Sequence, residues 1–149
     1  MGVQARQDNN TVPFIKDGNS LVRNNVTLLK DAGRTAVLAP YTLLARVLAS
    51  GKFVPFTDPT ATDGTGRPSA IYLGEEIAAA TIAADDVVGL MVLVGNAIID
   101  KNQLVIENSK TLDTILATTT VNAVTVQDEL ERKGIFCTES VDISSQENS

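Results

Sequence analysis

The sequence of 149 residues is 44% apolar but only 4% aromatic, and it carries a formal net charge of −6 at pH 7. This length predicts one domain, whose core must be built mainly from aliphatic side chains. The acidic balance argues against direct binding of nucleic acid, because phosphate contacts need a basic surface. Since no apolar run reaches about 18 residues, neither a membrane-spanning helix nor a membrane partner is expected.

Histidine is absent from the sequence, and Cys137 is its only cysteine. The first fact removes Ser-His-Asp and Cys-His catalysis and His-ligated zinc. The second permits no internal disulfide and favours assembly in a reducing cytoplasm. Cys137 lies in the run IFCTESVDI, which indicates a strand residue rather than a reactive thiol. We therefore expect no catalytic residue, no metal and no cofactor.

Residues 1–24 are rich in Asn, Asp, Gln and Gly, and they predict an N-terminal arm ahead of a domain at 25–149. The polar start MGVQARQDNN does not look like a secretory signal. A small apolar island interrupts the arm, and its interpretation stays open between an anchor on a partner and a frayed tail. Residues 1–34 carry five basic and three acidic side chains, so a mildly basic arm could dock on an acidic partner. The candidate contact residues are Val12, Pro13, Phe14, Ile15, Lys16 and Arg23.

Two β-rich stretches follow the arm. Val26–Lys30 alternates partly and predicts a strand. Tyr41–Val47 also predicts a strand, although its leucines fit a helical period as well. Val47–Phe56 looks like a hairpin with a turn at Ser50-Gly51-Lys52, because glycine accepts the positive φ of a tight turn. This turn favours strands over the helix.

The middle of the chain is a polar loop followed by apolar segments. The loop Thr57–Ser69 contains DGTG, which as one copy without a lysine in register indicates an ordinary loop. We predict strands at Ala70–Leu73 and Val87–Val94, with Leu90–Val94 buried on both faces. The alanine-rich connection between them favours helix by propensity but has no clean amphipathic face. Charges in this part of the chain are expected to be solvated turn residues: Glu75-Glu76, Asp85-Asp86 and Asp100-Lys101-Asn102.

The C-terminal third predicts a short helix and a closing strand. Leu112, Ile115 and Leu116 in the Thr-rich stretch 107–124 suggest one or two helical turns. Thr125–Gly134 has an N-cap threonine, early acids, late bases and a terminal glycine, which together indicate a helix. Ile135–Ile143 predicts the last strand. The expected fold is mainly β: a small, compact β domain of short strands with one or two short helices and an extended arm.

The order of these segments resembles the head decoration proteins of tailed bacteriophages, the family of the phage lambda capsid-stabilising protein. Its pattern is a Pro-led strand, a G-K-hydrophobic hairpin, a DG-containing loop, an A-I-x-L strand, a D-V-x-x-x-V-L-V-x-G strand and a late helix. The resemblance covers about residues 25–143, and the Thr-rich stretch 107–124 departs from it. The matching pieces are Pro40, Gly51-Lys52-Phe53, Asp63-Gly64, Ala70–Leu73, Asp86–Gly95 and Thr125–Gly134.

The resemblance implies a β-rich homotrimer on the exterior surface of the capsid of a virion, with N-terminal arms gripping the shell. Its partners would be the major capsid protein and its own copies, after synthesis in the host cytoplasm. Bound trimers would stabilise the expanded shell against the pressure of packaged DNA. Two alternatives stay open. One is another phage structural protein, such as a tail-tube or fibre adaptor. The other is a magnesium-dependent nucleotide hydrolase that uses Asp63, Asp85 or Asp86.

Overall fold

The computed structural model describes residues 13–17, 19–117 and 123–139. Within these ranges the fold is mainly β, as predicted, and no helix there is long and apolar enough to cross a membrane. The strands are β1 Ile15–Asp17, β2 Leu21–Leu28, β3 Leu43–Arg46, β4 Phe53–Pro55, β5 Pro68–Tyr72, β6 Val87–Gly95, β7 Ala97–Asp100 and β8 Ile135–Thr138. The helices are α1 Ala79–Ala84 and α2 Val126–Arg132.

The strands form a closed barrel and a smaller second sheet. The barrel has the order β2-β4-β3-β5-β6, and pairing of β6 with β2 closes it. Neighbouring strands of the barrel are antiparallel, except that β2 and β4 are parallel and pair only through Leu28 and Phe53. The second sheet has the order β1-β7-β8, so β7 lies in its centre. β1 and β8 are thus the edges of this sheet.

Apolar side chains form two clusters on either side of the barrel wall. One cluster fills the barrel and includes Val26, Leu28, Leu44, Phe53, Ala70, Tyr72, Leu90 and Val92. The other joins the outer face of the wall to the second sheet and α2, and includes Leu43, Ala45, Ile71, Leu93, Ile99, Leu130 and Ile135. Val92 and Leu93 are adjacent and both fully buried, so β6 separates the two clusters. Burial on both faces is confirmed for these two residues but wrong for Met91, which is 41% exposed.

The predicted hairpin is confirmed, with its first strand placed earlier in the chain. β3 ends at Arg46, and residues 47–52 form the connection to β4. Gly51 has φ +74°, and the amide of Val47 donates to the carbonyl of Lys52 at 2.8 Å. The positive φ explains why glycine is needed in this turn.

The expected boundary between arm and domain after residue 24 falls inside β2. β1 pairs with β7, and β2 pairs with β6 from Leu21 onward. The described part of the predicted arm, 13–17 and 19–24, therefore contributes to both sheets. The physical reason is that Phe14 and Ile15 interrupt this polar segment and pack on residues far along the chain.

Three other segments differ from the expectations. The alanine-rich connection contains α1, so its helix propensity prevails although only Ile82 of the helix is buried. Asp100 is fully buried rather than exposed, and it accepts hydrogen bonds from the Asn102 amide and the Gln103 side chain. Within 107–117 the structure contains no helix, and only Leu116 among the three predicted apolar positions is fully buried.

The closing helix α2 has the caps that the sequence predicted. The Thr125 hydroxyl accepts from the Asp128 amide, and the Asp128 carboxylate accepts from the Thr125 amide, which together form a capping box. Gly134 follows with φ +79°. Glu129, although charged, is only 7% exposed. Its neighbour Leu130 is fully buried in the outer cluster.

Candidate interaction surface at the N-terminal strands

The first described segment is fastened to the body by an aromatic stack. The ring of Phe14 is 4% exposed and lies parallel to the ring of Tyr41, with centroids 4.1 Å apart and planes at 10°. Tyr41 has φ +67°, an unusual backbone conformation for a bulky residue. Its amide donates to Tyr72, and its carbonyl accepts from Val105. The left-handed backbone of Tyr41 thus holds the ring against Phe14.

Backbone contacts complete the attachment of β1. The amide of Asp100 donates to the carbonyl of Phe14 at 2.8 Å. Ile15 pairs with Ile99 across the antiparallel ladder, which has a bulge before Asp17. The ammonium of Lys16 donates to a backbone carbonyl that follows β8, at 3.3 Å. Among the described side chains, β1 is therefore held by the Phe14 ring, a short ladder and the hydrogen bond from Lys16.

The two-stranded ribbon of β2 and β6 carries exposed apolar side chains. Leu21 is 52% exposed, Val22 39%, Met91 41% and Val88 74%. Val22 lies opposite Leu93, and Met91 is two residues from Leu93 along β6, so Val22 and Met91 share the outer face. The second sheet and α2 cover other parts of that face. We call Val22 and Met91, the two residues that the register places on one face, the ribbon patch.

The predicted contact residues differ in exposure. Pro13 and Arg23 are exposed, and Ile15 and Lys16 are half-buried. Val12 lies outside the described residues. Phe14 is buried against Tyr41, which corrects the expectation that its side chain is presented to a partner. In the structure this ring holds the segment to its own domain.

Sequence reasoning did not identify the ribbon patch. Val22 was assigned to a polar arm, and Met91 was assigned to a strand buried on both faces. The residue before Met91 and the residue after it face the barrel interior. The alternation of a half-buried strand could have placed Met91 outside, but an unbroken apolar run hides that period.

Asp86 and the DGTG loop take part in local hydrogen bonds. Asp86 accepts from the Lys52 ammonium at 2.6 Å and from the Lys30 amide at 2.8 Å. These bonds, the Lys52 bond first, hold the pKa of the Asp86 carboxyl below its usual value. Asp63 accepts from the amide and hydroxyl of Thr65, which likewise lowers the pKa of Asp63.

The same loop needs glycine for a steric reason. Gly64 has φ +102°, and a Cβ there would lie 2.5 Å from the Arg46 carbonyl oxygen. The loop therefore packs closely on the hairpin of β3 and β4. Glu75 and Glu76 are exposed, as expected.

The remaining candidates for chemistry lie apart from the ribbon patch. Cys137 is a half-buried residue of β8, as predicted for a strand. Burial first, and the nearby charge of Glu131 second, raise the pKa of its thiol to about 11. In the part of the chain that the structure describes, no three His, Cys, Asp or Glu residues lie close enough together to hold a metal ion.

No family model matches the chain, and no curated protein and no solved structure is significantly similar to it. Three structural features bear on the function of the chain. They are β6, which separates the two apolar clusters, β1, which is attached to β7, and the ribbon patch.

Proposed function

We propose that the chain is a structural virion protein that binds the outer surface of an expanded phage capsid as a trimer and stabilises the shell. The observation that carries this proposal is the ribbon patch. Isolated exposed apolar residues are ordinary on soluble proteins, but neighbouring ones on a single ribbon mark an interaction site. The order of sequence motifs, which resembles the phage head decoration proteins, supplies the identity of the partner.

One of the two cations that the sequence suggested as contacts lies on the same ribbon as the patch. Arg23 follows Val22 directly in β2, and its side chain is exposed. Because Arg23 lies opposite Val92, it points to the other face of the ribbon from Val22, and the exposed apolar side chains alone define the patch. The proposed partners are the major capsid protein and further copies of the chain.

The proposed mechanism is mechanical and has no enzymatic step. A protein that binds the expanded shell better than other forms shifts the equilibrium toward the expanded shell by mass action. Three copies in a trimer contact the shell together, which raises the effective concentration of each contact after the first one forms. Modest individual contacts then suffice for stable binding.

The test is a binding assay on purified expanded heads, with purified tails as the comparison. Val22→Ser with Met91→Ser removes two outward apolar side chains of the ribbon patch and should weaken head binding at least about tenfold, or ~1.4 kcal/mol. Leu48→Ser is the matched control, because Leu48 is 69% exposed but lies on the β3–β4 connection. This control should bind like the unchanged protein.

Two results would contradict the proposal. Equal head binding by the double variant and the control would remove the ribbon patch from the interface. Binding to tails but not to heads would favour a tail-tube or fibre adaptor instead. Circular dichroism on each variant separates lost binding from lost folding.

A further inference from the structure

We propose that the site holding β1 is an exchangeable strand-binding site. The segment from Pro13 to Asp17 fills it within one chain, and the same segment of a second copy can fill it between chains. The ligand class is an extended peptide with an aromatic side chain that stacks on Tyr41. This inference goes beyond capsid binding and does not depend on it.

The acceptor site is built by elements other than β1. Tyr41 is held by backbone hydrogen bonds to Tyr72 and Val105. β7 is paired along its opposite edge with β8, in parallel register from Ala97 to Asp100. The ring and the strand edge that receive β1 are therefore fixed by the rest of the fold, and they remain in place when the resident strand leaves.

The resident strand is small and its contacts define what the site recognises. β1 has three residues, and its ladder with β7 is interrupted by a bulge. Phe14 supplies the stacked ring, its carbonyl accepts from Asp100, and Ile15 pairs with Ile99. Main-chain hydrogen bonds of this kind give affinity, and the ring gives specificity, as in other sites that bind an added strand.

A second copy is the occupant that the surroundings of β1 favour. Only residues 18–20 separate the end of β1 from the start of β2, although the two strands belong to different sheets. Four Cα steps span at most about 14 Å. Two bodies that exchange β1 must therefore lie against each other near Leu21 and Val22, which are 52% and 39% exposed. Exchange would cover these apolar residues, as in other domain-swapped assemblies.

The test is cross-linking between full-length chains that each carry one new cysteine on a Cys137→Ala background. The Lys16 ammonium lies 3.3 Å from the Glu139 carbonyl oxygen, so Lys16→Cys and Glu139→Cys place thiols within reach of a short bismaleimide. A chain with both changes should cross-link internally. A mixture of the two single variants, incubated together at high concentration, should give a dimer linked between positions 16 and 139, identified by peptide mass spectrometry.

The control uses the aromatic ring. Phe14→Ala in the Lys16→Cys chain should lower the yield of linked dimer at least tenfold, and Phe14→Tyr, which keeps a ring, should restore it. Circular dichroism shows whether each variant folds, and the tyrosine variant keeps the test decisive if the alanine variant does not. Internal linkage without linked dimer, or linked dimer that Phe14→Ala leaves unchanged, would overturn the proposal. If the chain that carries both new cysteines does not cross-link internally, position 16 does not lie beside position 139 and the proposed site is wrong.

Discussion

The guanidinium of Arg34 joins two loops beside the barrel. Its Nη1 and Nη2 donate to the two carboxylate oxygens of Glu107 at 2.7 and 2.6 Å. Its Nε and Nη2 also donate to the carbonyls of Ala36 and Val37. The side chain is 9% exposed, and the Glu107 hydrogen bonds are the main cause of its raised pKa. The planar guanidinium donates two parallel hydrogen bonds to one carboxylate, which the ammonium of a lysine cannot do.

We expect Arg34→Ala to lower the free energy of unfolding by about 2–3 kcal/mol, because it leaves Glu107 partly buried without its partner. The free energy of unfolding of Arg34→Lys should lie between those of the alanine variant and the unchanged protein, since lysine keeps the charge but loses the paired hydrogen bonds. Urea melts at pH 7 measure both. Equal stability of the alanine variant and the unchanged protein would show that water replaces the lost bonds fully.

Asp86 gives the fold a dependence on pH in acid. Its pKa is lower in the folded chain than its ordinary value of 3.8, mainly because of the Lys52 hydrogen bond. A carboxyl shifted this way stabilises the fold above its unfolded pKa, and that stability is lost as the pH falls through the folded pKa. Asp58, Asp63 and Asp128 have the same direction of shift.

Urea melts should therefore show little change in stability between about pH 5 and 7 and a decline below about pH 4. Asp86→Asn should make that decline shallower, because one of the shifted carboxyls is removed. A decline of unchanged steepness would mean that the Lys52–Asp86 contact contributes nothing to folding.

At the scale of elements, α2 is the clearest test of packing. Leu130 is fully buried in the outer cluster, whereas Glu131 on the same helix is partly exposed. Leu130→Ala should cost about 2–5 kcal/mol because it leaves a cavity. Glu131→Ala should cost under about 0.5 kcal/mol, since the side chain is partly exposed. If urea melts rank the glutamate variant as the more damaging, the packing face of α2 is assigned wrongly.

Elements whose signals are local were predictable from the sequence. The caps of α2 and the Gly51 turn each involve residues within a few positions of one another. α1 was missed because its start at Ala78 has no side-chain cap and its first and last turns carry no charge. The position of β1 could not be predicted, because Phe14 is placed by Tyr41, a residue far along the chain.

The candidate site was predicted only in part. The sequence predicted partner contacts by the apolar island and by the cations Lys16 and Arg23. Phe14 of this island is instead buried against Tyr41 of the same chain. The ribbon patch arises only when β2 pairs with β6 while the second sheet covers other strands. The patch depends on which strands pair, and the residue pattern of a single strand does not reveal that pairing.

At the scale of the whole molecule, the ribbon patch leads us to expect self-association. Light scattering of purified protein should give the mass of a trimer, or of a monomer that becomes trimeric only on heads. Val22→Ser with Met91→Ser should shift any free trimer toward monomer, because it removes apolar area from the contact. A stable dimer that ignores these changes would count against the trimer.

The wall that β6 forms between two clusters also decides which parts of the molecule can open independently. Loss of either cluster would expose an apolar face of the same strand, so the two clusters should unfold together. Amide protons near the Ile71–Leu93 pair should then exchange with solvent only through global unfolding. β1 has three residues and lies at a sheet edge, so it can detach locally at a smaller free-energy cost. A pull on the N-terminal segment should therefore release one strand and leave the barrel closed.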